Sequence, residues 1–282
     1  MHLYKTTEGI ILKNETASWL VNEDWDLLVN QPALHQYLLQ MLSQTTNLSA
    51  EESDLLLSQN LLPPIGSQEV WAAGVTYLKS RDARMEESKD SGGADCYQKV
   101  YDAERPEIFF KSMAHRVAGH NETVHIRRDS DWNVPEPELA LFINNQGNIA
   151  GYSIGNDMSS RSIEGENPLY LPQAKTYQRS AAIGPCLFVP SGPVPPATLI
   201  SMQILRSGRT MYTGETEISR MKRTHIELAE YLFREMDFNT GAYLMTGTCL
   251  VPPNDFSLQV SDEVLISIQG IGIMKNIVKT KP

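Results

Sequence analysis

Cysteine is scarce: three residues in 282, Cys96, Cys186 and Cys249, stand far apart with no C-x-x-C pair. That excludes a disulfide framework and a zinc ribbon. No apolar run approaches the roughly 20 residues that cross a bilayer. The start, Met1-His2-Leu3-Tyr4-Lys5, lacks the charged and apolar regions of a secretory leader. Basic residues are outnumbered, 24 Lys and Arg against 34 Asp and Glu, giving a net charge of −10. The basic clusters, Arg127-Arg128 and Lys222-Arg223, are two residues long. There is no basic stripe for nucleic acid, and an anionic membrane surface is a poor partner. Repeats and low-complexity tracts are also missing. The reading is a cytoplasmic protein without nucleic-acid or membrane partners.

What is present is ordinary globular material, 41% hydrophobic and 21% charged, enough to bury a core. Residues 1–65 read as a small α/β N-terminal domain, with short strands at Ile10-Ile11-Leu12 and at 19–21. A helix is expected after Asn30 as N-cap, because Leu34, Tyr37, Leu38, Met41 and Leu42 share one helical face. A second helix fits 51–57, and Pro63-Pro64 reads as a linker.

Residues 66–282 read as a mostly β domain, making the whole chain α+β. Strands are expected at 70–75 and 107–111. A hairpin is expected from 139–143 to 149–154 around Asn144-Asn145-Gln146-Gly147-Asn148, and closing strands between 260 and 278. The polar stretch 81–99, with Ser91-Gly92-Gly93 inside it, reads as a mobile lid or long surface loop. One clear helix lies at 225–236: Thr224 and Glu227 form a T-x-x-E capping box, and Ile226, Ala229, Phe233 and Met236 form its expected buried stripe.

The segment richest in chemistry is Val134-Pro135-Glu136-Pro137-Glu138-Leu139-Ala140. Alternation along a strand puts Glu136 and Glu138 on one side. The two prolines cannot donate backbone hydrogen bonds, so this is an edge or a strand start. By itself an E-x-E is a solvated edge, since exposed carboxylates are the norm. The returning hairpin strand, however, ends at Asp157 and could bring a third carboxylate beside them. Three carboxylates make a hard oxygen site suited to Mg²⁺, with Mn²⁺ or Ca²⁺ as alternatives.

These residues carry a resemblance. Glu136-x-Glu138 followed by Gly151-Tyr152-x-x-Gly155-Asn156-Asp157-x-Ser159-x-Arg161 resembles the metal-site signature of the fumarylacetoacetate hydrolase superfamily. Ile183-Gly184-Pro185, Thr246-Gly247-Thr248 and Ile268-Gln269-Gly270-Ile271-Gly272 resemble later family segments in the same order, so the likeness spans about residues 65–282. It implies a mixed β-roll catalytic domain, Glu136, Glu138 and Asp157 as metal ligands, no organic cofactor, and a homodimer or homotetramer.

The hydrolases of this superfamily carry an N-Y-x-x-H-x-x-E segment whose His–Glu dyad activates water. Here Ser80 and Ala83 stand at those two positions, and neither serves as a base near pH 7. Ser80 to Met85, Arg105-Pro106-Glu107-Ile108-Phe109-Phe110-Lys111 and the string 163–175 instead resemble the sugar-acid dehydratase branch that contains archaeal 2-keto-3-deoxy-D-arabinonate dehydratase. That resemblance implies Glu107 and Lys175 as the acid–base pair. It implies dehydration of a 2-keto-3-deoxy sugar acid, a pentonate giving 2,5-dioxopentanoate, through a metal-stabilised enolate. Arg81, Arg84, Lys111 and Thr248 are candidates to hold the 2-keto acid substrate. Without the resemblance each of these charges reads as surface decoration. The alternative is a hydrolase or decarboxylase of acylpyruvate or fumarylacetoacetate type. A non-enzymatic sugar-acid sensor is a third reading.

Overall fold

The computed structural model describes residues 1–87 and 94–282. The Ser91-Gly92-Gly93 part of the expected lid lies outside the described residues. Four strands open the chain: β1 (His2–Thr6), β2 (Gly9–Lys13), β3 (Ser18–Val21) and β4 (Thr46–Leu48). Helices α1 (Trp25–Val29), α2 (Leu34–Met41) and α3 (Ala50–Gln59) accompany them. Asn30 is not the N-cap of α2. It ends α1, where its side-chain amide donates to the Asp26 and Thr240 carbonyls, and Ala33 caps α2 in a left-handed conformation.

The central strands follow: β5 (Glu69–Gly74), β6 (Glu107–Met113), β7 (Val117–Ala118), β8 (Thr123–Ile126), β9 (Asn133–Val134), β10 (Pro137–Ile143), β11 (Ile149–Asp157), β12 (Ser159–Ser160) and β13 (Ala181–Phe188). Between β5 and β6 stand α4 (Leu78–Glu87) and α5 (Ala94–Asp102). The expected loop over 81–99 is therefore largely helical. Asp82, Glu86, Asp95 and Lys99 stand on exposed helix faces while Arg84 turns inward, a pattern that composition does not separate from a loop. Two short helices, α6 (Arg161–Glu166) and α7 (Leu171–Lys175), follow β12. The chain closes with β14 (Leu199–Arg206), β15 (Arg209–Glu217), α8 (His225–Phe233), β16 (Ala242–Met245), β17 (Glu263–Ile268) and β18 (Gly272–Thr280).

Among the described residues the strands form a large mixed sheet, a five-stranded sheet and a small two-stranded one. The large sheet runs β4-β3-β2-β1-β13-β11-β10-β16-β5-β6, with β7 on β13. The five-stranded sheet runs β15-β14-β17-β18-β8. The fold is α+β and mostly β, as the composition and turn pattern suggest. Leu139, Leu141, Ile154, Ile200, Ile266 and Met274 belong to the core between these layers. The N-terminal strands join the large sheet where β1 pairs with β13. Leu3, Leu12 and Trp25 share a second core cluster with Val70, Phe142 and Tyr243. No gap in sheet or core marks residue 65.

The hairpin β10–β11 is regular where it matters: Pro137 faces Asn156 and Glu138 faces Gly155. Pro137 is tolerated because it begins the strand. This is not an edge, since β10 lies between β11 and β16 and is buried along its whole length. The α8 capping box is formed as expected. Its buried residues are Leu228, Ala229 and Leu232, whereas Ile226 is 65% exposed and Met236 38%. Ala229 is thus the one residue of the expected stripe that is fully buried. The other face of α8 is more apolar than its environment requires, so periodicity alone picks the wrong phase. Among the described residues no helix is long and apolar enough to cross a membrane.

Candidate active site

The ends of β10 and β11 place three carboxylates together. Asp157 N–H donates to the Glu136 carbonyl at 2.9 Å, which sets the two residues side by side across the hairpin. Oxygens of Glu136, Glu138 and Asp157 lie within 4.8 Å of one another, and all three residues are buried. Glu138 takes a hydrogen bond of 2.6 Å from the Gly247 N–H, just past β16. Gly247 has φ +93°, and a Cβ there would meet the Thr76 hydroxyl.

Four buried cations surround the carboxylates. Lys175 Nζ, fully buried, donates to Glu136 at 2.7 Å, to Asp157 at 3.1 Å and to the Ser159 hydroxyl at 2.6 Å. Lys111 Nζ pairs with Asp157 at 2.5 Å and donates to the carbonyls of Met158 and Lys175. Arg161 reaches Glu136 at 2.5 Å. Arg84 bridges Glu136, at 3.2 Å, and Glu164.

The charges divide the carboxylates. Burial works against ionisation of Glu136, but Lys175, Arg161 and Arg84 outweigh it and hold this carboxyl below the usual range. The hydrogen bond that Glu138 takes comes from a backbone N–H, that of Gly247. Burial, then the negative charges of Asp157 and Glu136, push its carboxyl well above the usual range. Burial also pushes Lys111 down to about 8, against the pull of Asp157. A divalent cation fits this donor set: three hard oxygens converge, and one of them ionises only at a cost that a cation would relieve.

Glu107 stands on β6 opposite Gly74 of β5. A Cβ at Gly74 would overlap the Glu107 carboxylate, so the glycine lets this side chain lie across the strand toward the cleft. Burial raises its carboxyl above the usual range, opposed by Arg84 and Lys175. A narrow cavity is lined by Ser80, Arg84, Phe109, the three carboxylates, Lys175 and Thr248, among others.

The structure therefore gathers Arg84, Glu136, Glu138, Asp157, Lys175 and Thr248 in one cleft, with Lys111 buried against Asp157 and Glu107 beside the cleft. Arg81 is not among them. Its guanidinium pairs with Asp82 at 2.6 Å and lies 5.1 Å from the centre of the Tyr101 ring, on the outside of α4. Ser80 faces the cavity in place of a histidine, and among the described residues no histidine lines it. In the sequence Arg161 stands out only as part of a motif, and Glu164 only within the string 163–175. Both are buried, and each pairs with a residue of another element, Arg161 with Glu136 and Glu164 with Arg84.

The profile described as fumarylacetoacetate (FAA) hydrolase C-terminal matches residues 70–279. The chain belongs to that family. A probable 2-keto-3-deoxyxylonate dehydratase of Haloferax volcanii is 46% identical over 228 residues, 80% of this chain and 78% of its own length. A 2-dehydro-3-deoxy-D-arabinonate dehydratase of Saccharolobus solfataricus is 41% identical over 220 residues, covering 77% and 74%. The solved structure of a 2-keto-3-deoxy-D-arabinonate dehydratase complexed with magnesium and 2,5-dioxopentanoate superposes with a TM-score of 0.84 at 32% identity, covering 100% of this chain and 99% of the other. These relatives are hydro-lyases of sugar acids, which agrees with the branch that Ser80, Ala83 and the 163–175 string indicate.

Proposed function

We propose that this chain is a magnesium-dependent dehydratase that removes water from a 2-keto-3-deoxy pentonate to give 2,5-dioxopentanoate. The carrying observation is Lys175, an ammonium buried between Glu136 and Asp157 in a cleft where Ser80 stands in the histidine position. The relatives' dehydratase names support the same reaction class.

Glu136, Glu138 and Asp157 would hold the ion, which supplies a Lewis acid for the keto-acid oxygens when bound. Glu107 and Lys175 exchange the protons. One takes the proton from C3; the other delivers a proton to the hydroxyl leaving C4, so water departs and a C3–C4 double bond remains; loss of a proton from C5 and protonation at C3 then leave a C4–C5 enol that relaxes to the semialdehyde. Burial raises the Glu107 carboxyl above its ordinary range, the direction that favours a part in proton transfer. Arg84 and Thr248, both on the cavity lining, orient the substrate carboxylate. Lys111 fixes Asp157 from behind and has no exposure of its own. The outward-facing Arg81 has no part in substrate binding on this reading.

The chain acts in the cytoplasm as a homodimer or homotetramer on this proposal, and its three cysteines are free thiols. The test is turnover of racemic 2-keto-3-deoxypentonate with Mg²⁺ and with EDTA, read through an aldehyde dehydrogenase. Aldehyde formation that EDTA abolishes supports the proposal. Cleavage of acylpyruvates without aldehyde from the pentonate overturns it in favour of the hydrolase reading.

A further inference from the structure

The pair Lys222-Arg223 touches no residue of the cleft, yet Arg223 is 7% exposed and fully engaged. Its guanidinium donates to the carbonyls of Ala103 at 2.5 Å and Glu104 at 2.7 Å, and more weakly to that of Val100 at 3.3 Å. The carbonyl of Val100 belongs to the last turn of α5, where helical partners run out, and Ala103 and Glu104 follow the helix in the chain. The same guanidinium pairs with Glu227 at 2.7 Å, and Glu227 is fixed by the α8 capping box. Arg223 therefore ties the carbonyl end of α5 to the first turn of α8.

Lys222 completes the tie. Its ammonium donates to the Tyr101 carbonyl and lies 4.3 Å from the centre of the Tyr101 ring. The ring also receives Arg81 of α4. Lys222 N–H donates to the Thr76 carbonyl at 2.9 Å, and Met221 bridges Tyr77, immediately before α4. Residues 221–223 thus fasten the entry to α4 and the exit from α5. Between those anchors α4 brings Ser80 and Arg84 to the cavity wall.

We infer that Arg223, with Lys222, is a positioning residue that holds the α4–α5 pair so that Arg84 stands against Glu136 and Glu164. Arg223 does not touch the cleft; it acts through the helix pair. In this role Arg81 serves as the link between α4 and Tyr101. The inference rests on the reading above that Arg84 serves the dehydration site.

The experiment combines a double-mutant cycle with hydrogen exchange. Arg223→Ala lowers kcat/KM by about tenfold, mainly through KM, because Arg84 is displaced rather than removed. In the Arg84→Ala background the same change costs less than about twofold, since effects through one shared partner do not add. Arg223→Lys, which still reaches a carbonyl, recovers part of the loss. Glu227→Gln keeps the capping box but discharges the Arg223 partner, and it gives an intermediate loss in a protein that folds. Amides of α4 and α5 exchange faster in Arg223→Ala and Glu227→Gln, while those of β10 and β11 do not change. Additive losses in the cycle, or unchanged exchange in α4, would overturn the inference. The exchange reading is independent of turnover. If the wild type does not dehydrate the pentonate, the functional proposal falls while exchange still decides whether Arg223 holds the helices.

Discussion

At the residue scale the site is a balance of charge in a dry place. Glu136, Glu138, Asp157 and Glu164 face Arg84, Lys111, Arg161 and Lys175, all within the interior. Removing one member leaves a partner uncompensated, which is costlier than the pair is favourable. Lys175→Ala should reduce dehydration at least about 100-fold. It should also tighten Mg²⁺ binding, because the ammonium on Glu136 and Asp157 is gone; calorimetry on the folded variant reads this. Turnover within tenfold of wild type would remove Lys175 from the acid–base pair. Glu138→Gln tests the opposite imbalance. It relieves the repulsion among the carboxylates, so the metal-free protein should melt at a higher temperature. Mg²⁺ should then stabilise it less than it stabilises the wild type, at the same concentration. The carboxylates were legible in the sequence because strand alternation and the hairpin return fix their positions. Arg161 and Glu164 were less so, because what makes them matter is burial, and no local pattern announces a buried charge.

At the scale of elements, short-range rules were reliable where the chain itself supplies the partner. The capping box of α8, the β10–β11 hairpin and the closing strands form where turn and cap residues specify them. Rules that depend on a neighbour failed. The buried phase of α8 is chosen by the sheet beneath it, and Asn30 is claimed by carbonyls at 26 and 240 rather than by the following helix. The difference is measurable. Leu228→Ala should destabilise by about 2–5 kcal/mol, whereas Ile226→Ser should stay within about 0.5 kcal/mol, in urea denaturation. Equal effects would restore the phase that periodicity suggests. Helices α4 and α5 were hidden by their polarity: about half of their described residues are exposed, and the entry to α4 and the exit from α5 are fastened by residues more than a hundred positions away in sequence.

At the scale of the molecule, the N-terminal segment and the rest are joined by sheet and core. Residues 66–282 expressed alone would leave β13 without β1 and uncover the apolar side of β10 and β16. Such a fragment is expected to aggregate, as read by light scattering, because an open strand edge beside an exposed apolar surface invites pairing. A soluble, metal-responsive fragment would show that the small N-terminal unit is separable, as the proline pair at 63–64 suggested. The overall α+β class was visible from strand spacing. The joining of the first strands to β13 was not, because pairing over such separations leaves no trace in local sequence. The hairpin register has one further consequence. Its irregularity falls between Phe142 and Ile143, next to the turn, while the carboxylates sit at the opposite end: Glu138 is in the fifth of six regular pairs that run from Phe142–Gly151 to Pro137–Asn156, and Glu136 and Asp157 follow the sixth. An added or lost residue in the 144–148 turn can be absorbed at that irregularity before it reaches Glu138. The chemistry is thereby insulated from drift in loop length, because the catalytic end keeps its alignment when the turn changes.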